Sequence, residues 1–223
     1  MKNTQILLLI ASIFLMQCKQ NSENTAVKTT ETSVAKTETR KNIIFFGNSL
    51  TAAYGLEDLS KGFVGLIQER IDSLGLPYRC INAGLSGETT AGGKGRVDWV
   101  IDQQPFDIFI LELGGNDALR GIQPDDGIKN LQSIIDKVKA KNPSVKIILA
   151  GMEAPRNMGN TYLKAFHVMY PTLAEKNNTL LIPFILEGVG GVAELNQKDG
   201  IHPTEAGNKI ILETIWRVLK PIL

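Results

Sequence analysis

The amino-acid sequence predicts an α/β domain, a doubly wound five-stranded parallel sheet, and three observations point to it. From Asn42 onward, short apolar runs alternate with helix-length amphipathic stretches. Most of those runs are continuously apolar, as expected of parallel strands covered on both faces. No long repeat is visible, which sets aside solenoid and propeller architectures. Strands separated by helices need right-handed crossovers, and five strands in this arrangement predict the order 2-1-3-4-5, with ligands beyond the strand C-termini.

In chain order, the first predicted strand is Ile43 to Phe46 and the first helix Gly62 to Ser73. A second strand, Tyr78 to Ile81, precedes a helix from Gly92 to Gln103. The third strand, Ile108 to Leu113, leads to a helix from Asp125 to Ala140. The fourth, Val145 to Ala150, is followed by a helix from Asn160 to Lys176, and the fifth, Leu180 to Pro183, by a helix from Thr204 to Leu219. Cys80 falls inside the second strand, where a small buried hydrophobe is the expected role.

The segment ahead of this pattern has a different character. Lys2 precedes a run from Ile6 to Met16 that is apolar except for Ser12, too short for the roughly 20 residues a spanning helix needs. A charged start and a short apolar core predict a signal peptide over residues 1–17. Leu15-Met16-Gln17-Cys18 resembles a bacterial lipobox, with Gln17 in place of the usual small residue, so Cys18 is expected to be lipidated. Ordinary secretion with a free thiol near the new N-terminus is the alternative. If Cys18 carries lipid, Cys80 is the remaining thiol and no intrachain disulfide forms. Lys19 to Lys41 is rich in Thr, Ser, Glu, Lys and Asn and cannot bury a core. A tether of that length spans about 25 Å and spaces a domain, residues 42–223, off a membrane. The expected location is the bacterial cell envelope, in the periplasm or at the outer membrane.

Charge narrows the partners. The chain carries 24 Lys and Arg against 23 Asp and Glu, but six of those bases and three of those acids lie in the first 41 residues. The remainder holds 18 bases and 20 acids, with no basic excess to neutralise phosphates, so nucleic acid is not an expected partner.

Four clusters carry the chemistry, each placed after a strand or in the last loop. Gly47-Asn48-Ser49-Leu50-Thr51 follows strand one and can present the Ser49 hydroxyl and N–H to a crevice. Thr51 stands where a G-x-S-x-G elbow needs glycine, and a helix N-cap is the plainer role for such a serine. Asn82-Ala83-Gly84-Leu85-Ser86-Gly87-Glu88-Thr89-Thr90 follows strand two, and Gly87 can bring a bare N–H to an oxyanion or simply make a turn. Gly114-Gly115-Asn116-Asp117 ends strand three, where the Asn116 amide is a neutral oxyanion donor or a cap. Asp199-Gly200-Ile201-His202-Pro203 supplies a base and, three residues earlier, a carboxylate able to accept its Nδ1–H. The other histidine, His167, lies mid-helix and reads as a surface or partly packed residue.

Taken in order, these clusters resemble the four sequence blocks of the SGNH or GDSL-type hydrolases. The likeness is greatest to the bacterial thioesterase I, protease I and lysophospholipase L1 (arylesterase) group. Its specific stretches are Leu111-Glu112-Leu113-Gly114-Gly115-Asn116-Asp117-Ala118-Leu119-Arg120-Gly121 and Asp199-Gly200-Ile201-His202-Pro203, and it covers Asn42 to Leu223. The resemblance implies a three-layer flavodoxin-like α/β/α sandwich and a serine esterase working through an acyl-enzyme on carboxylic esters or thioesters. It implies Ser49, Asp199 and His202 as triad, and Ser49, Gly87 and Asn116 as oxyanion donors. It also implies no metal; no cofactor is expected, and the chain is expected to be a monomer. The first block departs from the usual Gly-Asp-Ser-Leu by carrying Asn48, which can brace the loop but brings no negative charge. Asp117 and Arg120 are candidates for substrate contact, with helix capping and a surface ion pair as their simpler roles. A carbohydrate O-acetylesterase is the rival within the enzyme class. A phosphate- or flavin-binding module is the rival outside it, and it leaves His202 and Asn116 without a purpose.

Overall fold

The computed structural model describes Arg40 to Leu223. The predicted signal peptide, Cys18 and nearly all of the tether lie outside the described residues. Five strands, β1 (Lys41–Gly47), β2 (Tyr78–Gly84), β3 (Ile108–Glu112), β4 (Lys146–Ala150) and β5 (Leu180–Ile182), form one parallel sheet in the order β2-β1-β3-β4-β5. The predicted order and strand directions therefore hold. Ile43 to Phe46 in β1 and Ile108 to Leu111 in β3 are all at most 1% exposed, which is why these runs carry no polar alternation.

Helices α1 (Phe63–Ser73) and α6 (Glu205–Leu219) pack on each other, while α2 (Thr90–Asp102), α4 (Pro124–Lys141) and α5 (Asn160–Asn177) pack in sequence with one another. Together with the sheet they make the three layers. A short helix, α3 (Gly115–Leu119), is additional to the predicted set and follows β3 directly. Helix ends obey local chemistry: Thr204 Oγ1 accepts from Gly207 N at the start of α6, and Pro124 begins α4, where a missing N–H costs nothing.

Three boundaries differ from expectation by more than one residue. Lys41, read from the sequence as the end of the tether, is the first residue of β1 and pairs with Tyr78, because backbone pairing is indifferent to a charged side chain at a strand's exposed start. β2 runs on through Asn82, Ala83 and Gly84, read from the sequence as loop, since β1 beside it stays extended to Gly47. The extension brings β2 against the turn after β1. A Cβ on Gly84 would collide with the backbone of Ala52, so only glycine permits that approach. Finally, α2 begins two residues before the predicted Gly92, capped by Thr89.

Candidate active site

Ser49 sits in the turn immediately beyond β1, and the next helical residues, a 3-10 turn at Leu59–Lys61, are capped by Asp58, so Ser49 is not a helix N-cap. The turn is closed by its own backbone: Ala52 N donates to Asn48 O and Tyr54 N to Ser49 O, both at 3.0 Å. Asn48 Oδ1 accepts from Leu50 N at 3.0 Å, which wraps the side chain around the serine. The result is a tight loop with a partly exposed Ser49.

The loop before α6 is folded just as tightly. Gln197 N donates to His202 O at 2.7 Å, Gly200 N to Gln197 O at 2.8 Å, and Gly200 adopts φ +70°. Asp199 Oδ1 accepts from the N–H groups of Ile201 (2.9 Å) and His202 (3.0 Å). Its Oδ2 lies 2.6 Å from His202 Nδ1, and His202 Nε2 lies 2.9 Å from Ser49 Oγ. The His202 backbone N–H, then its ring, then the Ile201 N–H hold the Asp199 carboxyl at about 2, so it is an anion at any working pH. An anion on Nδ1 fixes the tautomer that leaves Nε2 free to take the serine proton. Gln197 Nε2 donates to both Tyr54 O (2.8 Å) and Pro203 O (3.1 Å), tying the serine turn to the histidine loop. The Tyr54 ring packs 4.7 Å from the imidazole and walls its outer side.

Two further loops converge here. Gly87 adopts φ +79°, a conformation that favours glycine. A Cβ there would meet nothing closer than 3.7 Å, so it is backbone conformation that selects the residue, and room does not. Asn116 Nδ2 donates to Glu88 O at 3.0 Å with one of its two hydrogens, leaving the other for the crevice. Glu88 is buried and paired with Arg96, which also donates to Ala83 O and lies over the Phe46 ring. The glycine loop is thus pinned at Ala83 and Glu88.

Arg120 does something other than expected, whereas Asp117 takes its simpler expected role. Arg120 makes no ion pair among the described residues; its Nη2 donates to Gly87 O at 2.8 Å. Asp117 is a cap, but of α2 across the fold: it is buried and accepts from Thr90 N (2.8 Å) and Thr90 Oγ1. The α3 turn puts both side chains beside the second loop, a placement no local pattern encodes. The sequence alone assigns Glu112 no role, although a lone carboxylate in the apolar run Ile108 to Leu113 is a signal. It is 1% exposed and accepts from Asn48 N, Asn48 Nδ2 and Thr51 Oγ1. Burial pushes its carboxyl up to about 7, and the hydrogen bonds from Thr51 and Asn48 pull the other way. His167 is exposed on α5, and Cys80, partly buried in β2, has its thiol pushed up to about 12 by burial.

The pieces open on a cavity of about 190 Å³ whose lining joins Asn48, Ser49, Asn116 and His202 with the apolar Leu119, Met152, Leu186 and Ile201. A hydroxyl, an imidazole and an amide donor facing an apolar recess are the requirements of acyl transfer.

Comparison with known proteins agrees. Residues 45–210 match the GDSL-like Lipase/Acylhydrolase family. Esterase TesA of Pseudomonas aeruginosa is 42% identical over 183 residues, covering 82% of this chain and 90% of that protein. Thioesterase 1/protease 1/lysophospholipase L1 of Escherichia coli K12 is 32% identical over 181 residues, covering 81% and 84% respectively. The crystal structure of TesA superposes with a TM-score of 0.78 over 82% of this chain and 100% of that one, at 42% identity. The chain belongs to the GDSL-like lipase/acylhydrolase family and is a carboxylic ester hydrolase of the SGNH fold.

Proposed function

We propose that Ser49 is the nucleophile, His202 the general base and Asp199 its orienting anion, and that the Ser49 and Gly87 N–H groups and Asn116 Nδ2 form the oxyanion hole. The observation that carries this reading is the unbroken chain from Asp199 Oδ2 through His202 to Ser49 Oγ, at 2.6 and 2.9 Å. In the first step His202 Nε2 takes the hydroxyl proton as Ser49 Oγ attacks the acyl carbon. The carbonyl electron pair moves onto oxygen and is held by the three donors. Collapse breaks the bond to the leaving alcohol or thiol, which departs with the proton from Nε2. Water then repeats the sequence on the acyl-serine and restores the enzyme.

The substrates are esters and thioesters whose acyl group lies along the apolar recess of about 190 Å³ beside Ser49. The names of the relatives, esterase and thioesterase, support both leaving groups. A fluorophosphonate probe should label Ser49 and nothing in Ser49→Ala. Labelling elsewhere, or turnover by Ser49→Ala at more than about one-hundredth of the wild-type rate, refutes the assignment. Every p-nitrophenyl ester hydrolysed in a series from acetate to palmitate should lose its turnover in Ser49→Ala.

The same protein is proposed to be a lipid-anchored envelope protein, on the strength of the apolar run Ile6 to Met16 and the Leu15-Met16-Gln17-Cys18 sequence. Full-length protein should enter the detergent phase of a phase separation and Cys18→Ser should not. Wild-type protein in the aqueous phase refutes the anchor.

A further inference from the structure

The inference concerns Glu112 and rests on the reading of Ser49 as nucleophile. A carboxylate at 1% exposure on a central strand is costly, and among the described residues no cation pairs with it. Its hydrogen-bond partners all belong to the serine turn. Asn48 N reaches Oε2 at 3.2 Å, Asn48 Nδ2 reaches Oε1 at 2.7 Å and Thr51 Oγ1 reaches Oε2 at 2.8 Å.

These contacts leave Asn48 one possible orientation. With Nδ2 on Glu112, Oδ1 accepts from Leu50 N at 3.0 Å and lies 3.4 Å from Ser49 Oγ. A flipped amide would set Oδ1 against a carboxylate oxygen and Nδ2 against the Leu50 N–H, losing both bonds. The residues on both sides of Ser49 are therefore anchored, directly or through one amide, to a single group on β3. We propose that Glu112 is a positioning residue for Ser49, whose buried carboxylate holds the turn that presents Ser49 Oγ to His202.

The titratable groups that share its field are Tyr170 on α5, whose hydroxyl donates to Leu113 O, and Asp117 on α3. Both are already engaged, Asp117 by Thr90. Burial pushes the carboxyl up to about 7 while the Thr51 and Asn48 donors pull it down, so the turn's contacts favour the ionised form.

Two variants read the proposal. Glu112→Gln must face an NH₂ either to the Asn48 N–H or to Asn48 Nδ2, so one donor always opposes another. Its kcat should fall roughly 10- to 100-fold, the range a displacement of about 1 Å produces, with KM within about twofold. Combining Asn48→Asp with Glu112→Gln restores one amide and one carboxylate with their roles exchanged and every donor matched. That double variant should recover to within about threefold of wild type.

A folded Glu112→Gln with wild-type kcat overturns the proposal, as does a double variant no better than Glu112→Gln. If Glu112→Gln does not fold, the double variant decides: folding with near-wild-type kcat supports the clamp, and failure to fold or low kcat overturns it. Fluorophosphonate labelling of Ser49 in each variant separates the two readings: labelling with no rescue removes the clamp alone, and no labelling even in wild type removes both.

Discussion

Arg120 Nη2 donates to the carbonyl of Gly87 at 2.8 Å, joining the end of α3 to the glycine loop beyond β2. The carbonyl it holds belongs to the residue whose N–H is proposed to meet the oxyanion, so this contact braces that loop against α3. Arg120→Ala should leave the fold intact, because the side chain is exposed, and lower kcat about 2- to 10-fold, the equivalent of one net hydrogen bond. Steady-state kinetics with a thermal melt checks this. Unchanged kcat would mean the loop keeps its shape through Glu88 and Asn116 alone.

Asn116→Ala removes an oxyanion donor and the bond from Nδ2 to Glu88 O. The expected loss is about 10²- to 10³-fold in kcat with KM little changed, because the donor acts where charge develops. Stability should fall by roughly 1 kcal/mol for the lost bond. A kcat within threefold of wild type beside a lowered Tm would make Asn116 structural.

Asp199→Ala should lower kcat by about 10²- to 10⁴-fold, less than Ser49→Ala, since the imidazole remains beside the hydroxyl. The same carboxyl gives a stability signature. Its folded value of about 2 lies below the ordinary 3.8, so the stabilisation is present above about pH 4 and is lost as pH falls toward 2. The Tm difference between wild type and Asp199→Ala should hold steady above that point and close below it. A difference that widens on acidification would contradict the assigned contacts.

Asp117→Ala strips α2 of the carboxylate that accepts from Thr90 N and Thr90 Oγ1 in a buried setting. The cost should be roughly 2 to 3 kcal/mol, for the unpaired buried donors and the lost helix-end charge. That is a Tm drop of about 4 to 12 °C for a domain of this size. Any fall in kcat should follow the folded fraction. Normal stability with lost turnover would instead place Asp117 at the substrate.

The sequence by itself determined the sheet and the chemistry. Apolar runs such as Ile43 to Phe46 and Ile108 to Leu111 have one stable use, burial between two helical layers, so strand order and the crevice at the strand ends followed from pattern alone. Asp199 and His202 were legible because their contact spans three residues, within one loop's own geometry. What only the tertiary structure decided are partnerships across distant segments: Glu112 beneath the Ser49 turn, Asp117 at the start of α2, Arg120 on Gly87, and Lys41 in β1. Sequence shows that a carboxylate or a guanidinium is present but not which donor it meets, because that depends on how parallel strands bring their C-terminal loops side by side. An aspartate after a strand and a glutamate within one look alike as letters. Their roles differ because burial forces each to find donors, and the sheet determines which donors are within reach.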